Sequence, residues 1–255
     1  MTAAEAGAPR PANPLLVGWG NVLFKLRDGL FPAVLVLLVF LSRPQWPGGS
    51  QSADDLLDLV GVLVALAGQV LRAAVVGTVY IIRGGKDRKV YAEGLVTGGF
   101  FAHCRNPLYV GNILILLGLF TIWNGVLAWA VGVPFFLVGY VAIVAAEESF
   151  LRGKFGAEFD AYCARVPRWI PDFRGLRASL AGMRFNWARL VIKEYGSAAY
   201  WTAGAAALLL AESLSHQPWD ARPVYHAACV AAIPVIAVLW GTARWLKKSG
   251  RLKED

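Results

Sequence analysis

Leu108-Tyr109-Val110-Gly111-Asn112-Ile113-Leu114-Ile115-Leu116-Leu117-Gly118-Leu119-Phe120-Thr121-Ile122-Trp123, then Asn124-Gly125, then an apolar run from Val126 to Ala146, is the stretch whose reading decides the fold. Neither run carries a charge, and about 20 mostly apolar residues suffice for a helix to cross the hydrocarbon of a bilayer. Two residues of turn-forming type separate the runs, which leaves room only for an antiparallel helical hairpin.

Outward from the hairpin, four more runs of that kind occur: Gly18 to Leu41, Leu56 to Ile82, Ser197 to Leu214 and Val224 to Leu246. In the first, Lys25, Arg27 and Asp28 push the buried part toward Leu30 to Leu41. The composition agrees, with 57% hydrophobic residues, 16% charged residues and a mean hydropathy of +0.51 over 255 residues. Water-soluble domains hold about 45–50% apolar residues. The expected fold is all-α, a polytopic membrane bundle of about six transmembrane helices. The Pro/Ala-rich start carries Glu5 and lacks a basic segment leading into an apolar core, so it reads as a short tail rather than a signal peptide. Four regions follow: 1–14 as a disordered tail, 15–90 with two spans, 91–171 as the core that carries the motifs, and 172–255 with two further spans.

Lys and Arg counts test the topology separately from hydropathy, because basic residues concentrate in cytoplasmic loops. With six spans and both termini in the cytoplasm, 22 of the 25 basic residues fall on the cytoplasmic side, all but Arg43, Arg72 and Arg222. The same distribution accounts for the net charge of +8 through attraction to anionic head groups, and nucleic acid is not expected as a partner. Cys104, Cys163 and Cys229 show no CxxC spacing, so neither a disulfide framework nor a metal site is expected. Their reading is that of small apolar fillers. The expected location is a multi-pass membrane protein, in the inner membrane if the source is a bacterium.

On the expected cytoplasmic face, Gly99-Phe100-Phe101-Ala102-His103-Cys104-Arg105-Asn106-Pro107-Leu108-Tyr109 precedes one span and Glu147-Glu148 ends another. Asn106-Pro107 has the form of a helix start, with Asn as N-cap and Pro at the first position, and such an end beside Arg105 attracts an anion. The same residues also fit a plain helix start with Tyr109 in an interfacial aromatic belt. Glu147 and Glu148 lie close to hydrocarbon, where a carboxylate without a partner costs several kcal/mol. Neighbours on a helix project about 100° apart, so only one of the two is expected to face inward. Glu148 lies four residues before Arg152, a spacing that also suits a surface ion pair. Gly153 to Val166 reads as an amphipathic interfacial helix, with Phe155, Phe159, Tyr162 and Val166 on one stripe. Pro167 and Pro171 then hold Arg168-Trp169-Ile170 extended, able to lie over a bound molecule or to anchor at the interface.

Three blocks in this order, Gly99-x-Phe101-x-x-x-Arg105-Asn106-Pro107-x-Tyr109-x-Gly111, then Glu147-Glu148 with Leu151, Phe155-Gly156-x-x-Phe159-x-x-Tyr162, then Arg165-Val166-Pro167-Arg168, resemble the isoprenylcysteine carboxyl methyltransferase and phospholipid methyltransferase family. The likeness covers roughly Val90 to Pro171. It implies an integral membrane enzyme that takes S-adenosylmethionine from the cytoplasm, bound by Arg105, Asn106, Pro107, Tyr109, Gly111, Glu147, Glu148, Tyr162, Arg165 and Pro167. Asn106 stands where members often carry His, with His103 as a stand-in for cofactor binding or proton transfer, and Phe100 stands where Pro is usual. The residues assigned to the chemistry are Glu148, Arg105 and His103. A sulfonium is already a strong methyl donor, so in-line positioning with water excluded is what the protein must supply. The acceptor implied is a lipophilic molecule entering from the bilayer, an isoprenoid carboxylate or a phospholipid-like amine. An NADPH-dependent reductase of sterol or enone lipids and a non-catalytic lipid-binding bundle stand as the other classes.

Overall fold

The structure, a computed structural model, describes residues 13–79 and 90–253. Among them every regular element is helical. Most of the expected tail, the end of the second run at Ile82, and the basic residues Arg83, Lys86, Arg88 and Lys89 lie outside the described residues. The helices are α1 (Pro14–Leu41), α2 (Gln51–Thr78), α3 (Pro107–Trp123), α4 (Val133–Phe155), α5 (Ala157–Arg165), α6 (Leu176–Leu180), α7 (Trp187–His216) and α8 (Pro223–Lys248). Each of the six apolar runs falls in a helix. Three helical stretches, Gln51–Thr78, Ala128–Phe155 and Pro223–Lys248, are long and apolar enough to cross a membrane, and α3 is a shorter apolar helix.

Local signals set the helix ends. Asn13 accepts a hydrogen bond from the Leu15 amide ahead of Pro14, and Asn186 accepts one from the Arg189 amide, which starts α7 ten residues before the apolar run at Ser197. Asn124 closes α3 in the left-handed conformation, with φ 43°. A π turn over Ala128–Gly132 then leads into α4, so the expected hairpin forms. The expected single helix from Gly153 to Val166 does not: Gly156, at φ 52°, ends α4 and lets α5 leave in a new direction, a conformation few residues but glycine adopt.

Two antiparallel pairs make the core. In α2 and α3, Gly61 faces Gly118 and Gly68 faces Gly111 so closely that a Cβ on Gly118 would lie 2.4 Å from the Gly61 carbonyl oxygen. Small residues at such a crossing let two backbones approach, the usual device for helix contact in lipid. In α1 and α4, Gly20 sits against Ala142, Phe31 packs edge-on against Phe136 and Tyr140, and Leu38 reaches Gly132. α7 closes the bundle across α2 and α3, and α8 lies on α7. Leu59, Leu63, Leu66 and Val70 on α2 and Val235, Val238 and Leu239 on α8 face outward, an apolar belt suited to lipid rather than water.

Arg72, the basic residue that the charge count leaves inside the second run, is 4% exposed and pairs twice with Glu194 of α7, Nε to Oε2 at 3.0 Å and Nη2 to Oε1 at 2.9 Å. Asn112 accepts from its remaining nitrogen, and Gln69 donates to Glu194. A guanidinium this deep is tolerated because its donors meet a carboxylate in fork geometry.

Candidate functional site

The segment before α3 is held in place by its backbone. Gly99 adopts φ +60°, and a Cβ there would lie 2.9 Å from Val79 Cγ2 and 3.0 Å from Met183 Cε, so only glycine fits the turn. The Arg105 amide donates to the Pro167 carbonyl at 2.9 Å, Asn106 Nδ2 donates to the Arg168 carbonyl at 3.0 Å, and the Asp172 amide donates to the His103 carbonyl at 2.9 Å. Residues 103–106 and 167–172 are thereby clasped together. Asn106 precedes Pro107 at the start of α3, but its side chain makes no cap bond; it is spent on the clasp instead.

Above this clasp opens a cavity of about 1080 Å³. Its polar wall carries Arg105, Asn106, Tyr109, Glu147, Glu148 and Tyr162, with Pro107 beside them. Glu148 is the centre of the charge: Arg105 Nη1 meets its Oε1 at 2.9 Å, and Arg168 meets both oxygens, Nε to Oε1 and Nη2 to Oε2, each at 3.1 Å. Arg152, the surface partner expected for Glu148, binds Asp160 at 2.7 Å instead. Glu147 also faces the cavity and accepts a 2.6 Å hydrogen bond from the Tyr109 hydroxyl, which in turn accepts from Arg27 Nη1 at 2.9 Å. The expectation that only one of the two glutamates points inward therefore fails, since neighbours 100° apart both reach the cavity, one toward α1 and α3, the other toward α5 and the clasp.

Tyr162 lies under the cavity and donates its hydroxyl to the Phe101 carbonyl at 2.7 Å; burial holds that hydroxyl well above its ordinary pKa. Cys163 Sγ accepts from Arg105 Nη1 at 3.0 Å, yet burial outweighs the nearby guanidinium and pushes the thiol up. Arg105 Nε is buried and has no hydrogen-bond partner among the described residues. Much of the remaining wall is apolar, with Phe24, Phe31 and Leu35 of α1, Ile115 and Leu119 of α3, and Trp201 of α7, while Arg27, Asp28, Arg72, Glu93, Lys193 and Lys247 add further charge around it.

Four expected site residues lie elsewhere. His103 is 6% exposed and spends both ring nitrogens on structure, Nδ1 on the Asp172 carbonyl at 2.6 Å and Nε2 on Ser179 Oγ at 2.8 Å, so it is not placed for the roles given to it. Gly111 is used in packing: a Cβ there would lie 2.8 Å from the Gly68 carbonyl oxygen and 2.5 Å from Arg72 Cγ. Arg165 and Pro167 line a separate depression of about 560 Å³, which Arg105 also borders, while Arg168 is the arginine of this segment that pairs with Glu148. Trp169 packs against the apolar core. Arg27 was missed as a site residue because it reads in sequence only as a charge that shortens the first span.

The comparisons with known proteins fit this layout. A family model described as phospholipid methyltransferase matches residues 59–158. The chain is 30% identical over 175 residues to the "Cobalt-zinc-cadmium resistance protein CzcN" of Cupriavidus metallidurans, a match covering 67% of this chain and 75% of that protein. The chain belongs to the phospholipid methyltransferase family. The "Nickel-cobalt-cadmium resistance protein NccN" of Alcaligenes xylosoxydans xylosoxydans is likewise 30% identical over 166 residues, 64% of this chain and 72% of that protein. A 64-residue match at 41% identity takes in the whole of an uncharacterized protein of Haemophilus influenzae, and 25% of this chain. No solved structure matches. The matched region 59–158 contains the two glutamates, Arg105 and Tyr109, and stops short of Arg168.

Proposed function

We propose that this membrane methyltransferase transfers a methyl group from S-adenosylmethionine to a lipophilic acceptor, and that its six long helices other than α5 and α6 all cross the bilayer with both termini on the side of the clasp. The observation that carries this reading is that one cavity joins the charged group around Glu147 and Glu148 to an extensive apolar lining. At about 1080 Å³ it lies just above the roughly 300–1,000 Å³ usual for a small-molecule pocket, which leaves room for two molecules side by side.

The residues suit the donor. The Arg105 guanidinium at the cavity wall suits a carboxylate, and Glu147 and Glu148 offer negative charge to an ammonium and a sulfonium. The bound sulfonium supplies an activated methyl group. Arg105 and Arg168 fix Glu148, Arg27 and Tyr109 fix Glu147, and the apolar wall excludes water from the acceptor. A carboxylate acceptor needs no base; for an amine acceptor, Glu147 is the carboxylate near the apolar wall that takes the proton.

The relatives named for metal resistance suggest a setting: the methylated lipid matters during exposure to divalent metals. Purified protein incubated with methyl-labelled S-adenosylmethionine and a lipid extract of its host tests the reaction. Label in the organic phase is expected, and calorimetry should show donor binding at one site per chain. Absence of both, or binding of NADPH in place of S-adenosylmethionine, refutes the reading. Deletion of the gene should lower growth on cobalt, zinc or cadmium if the suggested setting is right.

A further inference from the structure

Asp58 lies about 30 Å along α2 from its end at Thr78, and because Gly68 faces Gly111 it is that far end which approaches Arg105, so the first turns of α2 are remote from it. There Asp54 and Asp58, one helical turn apart on α2, meet Glu212 in the last turn of α7. The three carboxylates are 2%, 7% and 1% exposed, and one oxygen of each lies within 4.8 Å of the other two. An ionised carboxylate can accept hydrogen bonds but not donate them, and the neutral donors around these three are few. Trp46 Nε1 donates to Glu212 Oε1 at 3.1 Å and the Tyr225 hydroxyl to Asp58 Oδ2 at 3.4 Å. Arg222, the nearest guanidinium, is taken by Asp55 at 2.9 Å. Asp58 Oδ1 is buried and has no hydrogen-bond partner among the described residues.

We propose that Asp54, Asp58 and Glu212 bind a divalent cation of the Mn2+, Co2+ or Zn2+ kind at the end of the bundle opposite the methyl-transfer cavity. Oxygens sharing one ion at about 2.0–2.6 Å stand at most about 4–5 Å apart, the spacing found here. The ion supplies the positive charge that three buried carboxylates otherwise lack, and it takes the orphaned oxygen of Asp58. His216 stands at the mouth, 25% exposed, with Nε2 3.7 Å from Glu212 Oε1 and its ring 4.7 Å from that of Trp46. One imidazole beside carboxylates favours a first-row transition metal over Ca2+, and the lack of a thiolate disfavours Cu(I).

Purified full-length protein in detergent, stripped with a chelator and titrated with Co2+, tests this without reference to methyl transfer. One equivalent per chain should bind, with a visible absorption band and a rise in melting temperature, and Zn2+ should displace it. Asp58→Asn and Glu212→Gln keep side-chain volume and should weaken binding at least tenfold; His216→Ala, at the exposed rim, should weaken it several-fold and shift the band, and serves if the buried variants fail to fold. No band and no thermal shift with Co2+, Zn2+ or Mn2+ on the wild type overturns the site, as does undiminished binding in the folded variants. Stabilisation of the chelated protein by Asp58→Asn together with no metal binding by the wild type would mean that a proton takes the place of the ion, and overturns it too.

Discussion

Arg105 Nη1 and Glu148 Oε1 are 2.9 Å apart, 43 residues distant in sequence, and the side chains of the pair are only 16% and 13% exposed. Removing one member leaves the other charged in a poorly solvated place. Arg105→Ala and Glu148→Gln should each weaken S-adenosylmethionine binding by about 10–100-fold, equivalent to about 1.5–3 kcal/mol for a charged hydrogen bond lost. Titration calorimetry measures it, and an unchanged dissociation constant in both variants counts against their role.

Glu147 and Glu148 have different partners, so they should separate in kinetics. Glu148→Gln removes the anchor of two arginines and should act mainly on donor binding. Glu147→Gln and Tyr109→Phe disturb the chain from Arg27 through Tyr109 and should lower kcat by about tenfold with a smaller effect on donor affinity. Steady-state rates against donor concentration distinguish the two patterns.

Gly111 looks like a motif residue in sequence and a packing residue in the fold. Gly111→Ala should lower stability by about 1–3 kcal/mol through the crowded contact with Gly68 and Arg72. Donor affinity of the folded fraction should stay within twofold of wild type. Denaturation in detergent beside calorimetry checks both halves.

Arg72→Met leaves Glu194 buried without its guanidinium and should cost about 3–5 kcal/mol, whereas Arg72→Met with Glu194→Met should recover most of it. Thermal unfolding of the two variants and wild type decides the matter.

The Cys163 thiol is raised by burial, so its thiolate forms only above the ordinary range of about 8.5. Iodoacetamide should modify it slowly at pH 7.5 and faster as the pH climbs past that range. Fast labelling of the folded protein at neutral pH contradicts this assignment. The Asp172 carboxyl, pulled down to about 2 by Arg174, behaves oppositely: whatever it adds to stability is present above its unfolded value and is lost as pH falls toward 2, so Asp172→Asn should not alter the pH profile from 5 to 8.

Helix positions were legible in sequence because apolar runs and caps act locally; all six runs became helices, and Pro107 and Asn124 mark ends that the structure keeps. Arg105, Tyr109 and the glutamates reached the cavity as their ordered spacing implied. What the sequence hid depends on tertiary neighbours. Arg27 joins the site only because α1 crosses α4, His103 leaves it because the loop before α6 comes back to cover it, and the exchange of Arg165 for Arg168 follows from the turn after α5. The group of Asp54, Asp58 and Glu212 spans more than 150 residues and shows no periodic signal.

The clasp between residues 103–106 and 167–172 closes the chain on itself before and after α3, α4 and α5. The groups that hold Glu147 and Glu148, apart from Arg27 behind Tyr109, belong to that closed loop. Part of the apolar wall, Phe24, Phe31 and Leu35 of α1 and Trp201 of α7, stands outside it, across from Ile115 and Leu119 within it. On the proposed reading, exchanging Phe24, Phe31, Leu35 and Trp201 offers a way to redirect the enzyme to another lipid while Arg105, Tyr109, Glu147, Glu148 and Arg168 keep their mutual contacts.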